Sequence, residues 1–185
     1  MNIVGISGSP SPRSRSGWLL QWAQTQLEGV ACRSDTVRVR DLPAQALVHG
    51  DRETPAIAEA IRRVEGADLL IVATPIYKAA YSGVLKLFLD LLPSDALRGK
   101  TVLPLASGGT LGHLLALDYA LKPVLSALGA RNILDGVFAI DAHLVAHASG
   151  GYVPDPALAE RLSRGLAPLL QSRTTTTPSE ASCAA

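Results

Sequence analysis

Short apolar bursts separated by longer amphipathic stretches set the rhythm of the chain, and this alternation predicts strands joined by helical crossovers. The first burst, Asn2 to Ile6, runs into Gly8-Ser9-Pro10-Ser11-Pro12-Arg13-Ser14-Arg15-Ser16, which no regular element accommodates. A helix is expected from about Gly17 to Glu28. Val37 and Val39 alternate with Arg38 and Arg40 in the pattern of a half-exposed strand. Thr54 as N-cap and Pro55 at the first helical position open a helix to about Glu65. Asp68 to Ala73 is continuously apolar after its first residue, the signature of a central parallel strand covered on both faces. After a loop from Thr74 to Tyr81, Val84, Leu85, Phe88 and Leu92 recur at helical spacing. Val102 to Ala106 reads as a second buried strand, in which Pro104 is expected to force an irregularity. A glycine loop follows at Ser107-Gly108-Gly109-Thr110. Beyond it the pattern gives a helix over roughly Leu114 to Leu128, a fifth strand from Ile133 to Ile140 and a last helix from Pro156 to Gln171.

Strands and helices in this alternation make a doubly wound α/β sheet, and the length favours the flavodoxin-like order 2-1-3-4-5 of a five-stranded parallel sheet. Residues 1–172 are read as one such domain. The threonine-rich tail 173–185 has nothing to pack and is expected to be disordered. Ligands of such sheets bind beyond the carboxyl ends of the strands, which points to the loops after strands one, three and four.

Charge narrows the partners. Seventeen Lys+Arg against sixteen Asp+Glu give a net charge of +1, with no field to steer the chain toward nucleic acid or an acidic membrane. No apolar run approaches the ~20 residues of a membrane span. Met1 leads directly into a strand, without the basic region and long apolar stretch of a secretory signal, so a cytoplasmic protein is expected. Cys32 and Cys183 lack any metal-binding spacing and read as ordinary thiols. No metal site is expected.

The first loop stacks Ser7, Ser9, Ser11, Ser14 and Ser16 with Arg13 and Arg15 between a strand end and a helix start. Helix N-terminal N–H groups, hydroxyls and a guanidinium together suit a phosphate; a solvated helix cap would use the same residues. Neither the Rossmann glycine pattern nor a Walker lysine is present. In the third loop Pro75 fixes the backbone, Ile76 can flank a flat ligand and Tyr77 can lay its ring on one, as an isoalloxazine requires. Tyr77 and Tyr81 also fit a rim or an interface. The fourth loop offers backbone donors without side-chain bulk. His113, which follows it, reads as a structural or interface residue.

Long stretches carry a further signal: Gly8-Ser9-Pro10 with Ser14-Arg15-Ser16, Leu70 through Gly83, Leu103 through Thr110, and Asp118 through Leu128. In these the chain resembles the NADPH-dependent FMN reductases that serve two-component alkanesulfonate monooxygenases. The resemblance implies a flavodoxin-like fold with FMN and NADPH as cofactors. It also implies an FMNH2-dependent alkanesulfonate monooxygenase as partner and assembly into a dimer or tetramer. It assigns FMN to Ser9, Ser14, Arg15 and Ser16 for the phosphate, and to Pro75, Ile76, Tyr77, Lys78, Ser107, Gly108, Gly109 and Thr110 for the ring. It further implies that Tyr119 makes a π-helical turn at the subunit interface, such turns being frequent at functional positions.

Hydride transfer from nicotinamide to flavin requires positioning and the exclusion of water, so no catalytic side chain is named. Arg13, Arg15 and Lys78 are the candidates for the NADPH 2′-phosphate. Only eight aromatic residues occur, which disfavours a two-sided clamp on the ring and favours flavin that leaves at each turnover. Two alternatives share the fold: a reductase of quinones, azo dyes or metals with tightly held FMN, and a flavodoxin-type electron carrier, whose usual strong acidity this chain lacks.

Overall fold

The computed structural model describes residues 1–148 and 150–171. Its centre is a mostly parallel sheet built from β1 (Asn2–Ser7), β2 (Arg33–Arg38), β3 (Leu69–Tyr77), β5 (Thr101–Gly108) and the short pair β6 (Asn132–Ile133) and β7 (Val137–Ile140). The order β2-β1-β3-β5-β6, with β7 continuing beside β5, is the expected 2-1-3-4-5 once a small added strand, β4 (Ala80–Tyr81), is set aside. Period-two alternation along β3 feeds two cores. Leu70 and Val72 pack with Phe88 and Leu125 on one face, while Leu69, Ile71 and Ala73 pack with Leu20 and Leu158 on the other.

Helices α1 (Arg15–Gln26) and α6 (Pro156–Gln171) contribute to the second core; α3 (Pro55–Glu65), α4 (Gly83–Leu89) and α5 (Lys122–Ala127) contribute to the first. α1 begins two residues earlier than its apolar pattern implies. Ser14 caps it by accepting from the Gly17 N–H at 3.1 Å, so Arg15 and Ser16 lie in its first turn rather than in the preceding loop. β2 likewise starts at Arg33 and ends before Val39, which opens a 3-10 turn. A short α2 (Ala44–His49) and a hairpin of β8 (Leu144–Ala146) and β9 (Tyr152–Pro154) lie where the apolar pattern predicted no element.

Three elements depart from expectation for physical reasons. The strand at Pro104 is unbroken, with Pro104 in register opposite Val72. The irregularity falls on the neighbour instead: between the pairs Val102↔Ile133 and Leu105↔Val137 the neighbour spends one extra residue. That bulge lies where Pro104 has no N–H to offer. β3 extends through Thr74 to Tyr77 and folds back through Lys78 and Ala79 into β4, where a loop was expected. The helix expected over Leu114 to Leu128 is composite: the π turn at Leu117–Leu121, centred on Tyr119, precedes α5. The tail 173–185 lies outside the described residues.

Candidate functional site

Three adjacent strands end at one lip of the sheet. Ser7 of β1 pairs with Ala73 of β3, and Pro75 of β3 pairs with Ser107 of β5, so the loops beyond them are neighbours. Gly8 donates to the Ala73 carbonyl at 2.8 Å and thereby continues the ladder into the first loop. A Cβ on Gly8 would lie 2.6 Å from Leu85 Cβ, so only glycine lets the loop pass this close to α4. Ser82 fastens the junction: its hydroxyl donates to the Gly8 carbonyl and accepts from the Leu85 N–H, while its own N–H donates to Thr74 Oγ1 at 3.0 Å. The serine-glycine pair before an apolar run is a helix-start signal that a sequence reading can find.

Within the first loop, Ser9 is buried and its Oγ accepts from the Ser11 N–H at 3.2 Å. Ser14 and Ser16 hydroxyls are 2.9 Å apart at the head of α1, and Ser16 is fully buried. The Arg15 and Ser16 N–H groups belong to the first turn, where the helix supplies no carbonyl for them. From β2's end Arg40 reaches across to the Ser11 carbonyl at 2.7 Å and steadies the loop. Arg15 turns elsewhere. Its guanidinium is 3.7 Å from an Asp141 carboxylate oxygen and lies over the Tyr152 ring, 5.3 Å from the centroid. Tyr152 in turn meets Trp18 edge-on, so the β8–β9 hairpin that the sequence pattern did not reveal is what redirects this arginine.

At the third loop, Pro75 and Ile76 are buried, and Ile76 packs into the core below the hairpin instead of offering a free face. Tyr77 is half exposed at the end of β3. Lys78 and Ala79 form the hairpin tip with φ of 50° and 64°, a left-handed pair normally filled by asparagine and glycine. Burial pushes the Tyr81 phenol up, so it stays neutral at physiological pH. On β5's end Ser107 and Gly108 are buried, and Gly108 faces Phe138 at 3.1 Å from an ideal Cβ. A Cβ on Gly109 would meet nothing within 4 Å. Thr110 closes the turn in extended conformation. His113 lies against Gly108 with its Nδ1 buried and unpaired among the described residues.

The arrangement thus places a hydroxyl-lined helix head and an open glycine turn on either side of an exposed tyrosine. Residues 1–144 match the profile of the family described as NADPH-dependent FMN reductase. The chain belongs to that family. The α/β fold, the oxidoreductase class and the pairing of FMN with NADPH expected from the sequence stand with it. It is 51% identical over 150 residues to an FMN reductase (NADPH) of Pseudomonas putida strain KT2440, covering 81% of this chain and 76% of the relative. An FMN reductase (NADPH) of Escherichia coli K12 is 50% identical over 145 residues, 78% of this chain and 76% of its own. The apo crystal structure of an NADH:FMN oxidoreductase superposes with a TM-score of 0.83 at 39% identity, covering 92% of this chain and 89% of that one. Among the described residues no cluster of metal-ligating side chains occurs, and no helix is long and apolar enough to cross a membrane.

Proposed function

We propose that this FMN reductase uses NADPH to reduce FMN that enters and leaves as a substrate, and delivers it in the cytoplasm to an FMNH2-dependent alkanesulfonate monooxygenase. The observation that carries the reading is the open space in front of Gly109, with only β3 between its strand and the strand that leads to a hydroxyl-rich helix head. Packing within the chain does not require a glycine there; the close approach of a flat ring edge does. Ser9, Ser14 and Ser16, with the first-turn N–H groups of Arg15 and Ser16, take the phosphate. Tyr77 covers the ring, Pro75 and Ile76 hold Tyr77 in place, and Lys78 stands at the rim. Ser107, Gly108, Gly109 and Thr110 present main-chain groups to the ring's polar edge. FMN when bound accepts the hydride of NADPH; the protein contributes orientation and keeps water from the reacting faces.

One tyrosine on one side supports release. Stacking of a flat base on a single aromatic platform is worth about 1–3 kcal/mol, which leaves the ring lightly held. Purified protein is expected to lose its FMN on dialysis and to oxidise NADPH only when free FMN is added. Flavin retained stoichiometrically, with quinone reduction by the bound form, would replace this reading with the tight-FMN reductase. Absence of NADPH oxidation altogether would leave the electron carrier.

Assembly belongs to the same proposal. Tyr119 is 79% exposed on the π turn, with Leu111, Leu114, Leu115 and Tyr77 exposed nearby in sequence or across the β4 contact. Large apolar side chains left exposed along one stretch of chain suit a protein contact, here a second copy in a dimer or tetramer. Sedimentation of the wild type is expected to give a mass above the monomer, and Tyr119→Ala to shift it downward. An unchanged mass in the variant would remove Tyr119 from the interface.

A further inference from the structure

Beside the flavin cradle an open groove of about 1080 Å³ wraps the outer flank of α1, lined by the edge strand β2 and by residues of the β8–β9 hairpin. Its wall is polar because Ser34, Thr36 and Arg38 alternate onto this face of β2, while Val37 points to the opposite core. Arg13, Arg38 and Arg40 line it, against Glu28 as the acidic lining residue. Arg40 is spent on Ser11 and on Asp41, the latter at 3.3 Å. Arg13 and Arg38 are different: neither guanidinium makes a hydrogen bond or ion pair among the described residues.

We propose that this groove seats the 2′-phosphate of NADPH, read by Arg13 and Arg38. The inference rests on the reading of the cradle as the FMN site. The groove opens where Ser7, Ser14 and Gly17 line it, so it begins at the phosphate turn and leads away from the ring. In this proposal the nicotinamide meets the ring above Tyr77 and Gly109, and the adenosine end reaches back past that turn to Arg13 and Arg38 in the groove. The two anion seats differ in kind. The turn offers N–H groups and hydroxyls, whereas the groove offers full positive charges that a ribose hydroxyl cannot use and a phosphate can. The groove is therefore a place where NADPH is told from NADH, the choice on which the similar proteins' own names differ.

Isothermal titration of the full chain with adenosine 2′,5′-bisphosphate and with AMP, without FMN, tests this. The bisphosphate is expected to bind about tenfold or more tightly than AMP, and Arg13→Gln or Arg38→Gln to erase most of that preference. Arg38→Lys should keep part of it. Saturating FMN should leave the preference intact; displacement by FMN would place the bisphosphate in the flavin turn and overturn the proposal, as would equal binding of the two probes or an unchanged preference in both glutamine variants. In turnover Arg38→Gln should raise KM for NADPH about tenfold and move KM for NADH less than about twofold. If neither nucleotide were oxidised with FMN by the wild type, the reading of the cradle would fail while the titration still decided the groove.

Discussion

Gly8→Val is expected to lower kcat/KM for FMN in NADPH oxidation about a hundredfold and to lower the melting temperature with it. The added side chain begins 2.6 Å from Leu85 Cβ, a contact to the root of a buried residue that no rotamer change relieves. Either α4 or the first loop has to move. Overpacking of this kind costs about 1–3 kcal/mol, which in a domain of this size lowers Tm by about 2–12 °C. The loop is the softer partner, and Gly8 carries the carbonyl that Ser82 holds and the N–H that Ala73 holds. A displacement near 1 Å would carry Ser9 and the head of α1 with it, at about a hundredfold loss in kcat/KM for FMN. Thermal denaturation and steady-state kinetics read the two effects. A folded variant with wild-type KM for FMN would show that the turn is not the phosphate seat.

Such coupling explains which parts of the molecule were legible in the sequence. The sheet was legible because buried parallel strands are apolar throughout: Leu69 to Ala73 and Val102 to Ala106 have no other reading, and their order follows from the helical crossovers. The first loop was legible because serine, proline and arginine at a strand end exclude regular structure. The boundary inside it was not. Ser14 caps α1 and draws Arg15 and Ser16 into the helix, a choice made by one hydrogen bond to Gly17 rather than by hydrophobic pattern.

Tertiary partners decided the rest. Nothing local announces that Arg15 will lie over Tyr152, since the two residues meet only when the β8–β9 hairpin folds onto α1. The Lys78-Ala79 tip contradicts local preference outright, because left-handed backbone at two successive residues with side chains is costly. Pairing of Ile76 with Tyr81 and Tyr77 with Ala80 holds the turn closed. Pro104 shows the same logic in the opposite direction. Its missing N–H predicts an irregularity in its own strand, but that strand runs unbroken and the extra residue falls on the neighbouring one, where a bulge costs less than breaking the central strand. The π turn was carried by resemblance in the Asp118-Tyr119-Ala120 stretch, and the observed Leu117–Leu121 turn contains it.

Gly109→Val separates site from scaffold. Its Cβ would face open space and its φ lies outside the left-handed region, so a side chain starts there without meeting a neighbour at Cβ and without left-handed backbone strain. Stability should be nearly unchanged, with Tm within about 2 °C of wild type, as for substitutions that touch no packed neighbour. The isopropyl group instead occupies the volume through which a ring edge reaches the main chain beside Gly108 and Thr110. Loss of those contacts together with the ring's displacement predicts a fall of about a hundredfold in kcat/KM for FMN, with little change in the binding of adenosine 2′,5′-bisphosphate at the far side of the first loop. Gly109→Ala should fall between the two. Circular dichroism melting and kinetics with varied FMN decide the matter: full activity in the valine variant would mean that the open volume before Gly109 holds no part of the flavin, and the assignment of the fourth loop to its ring would be lost.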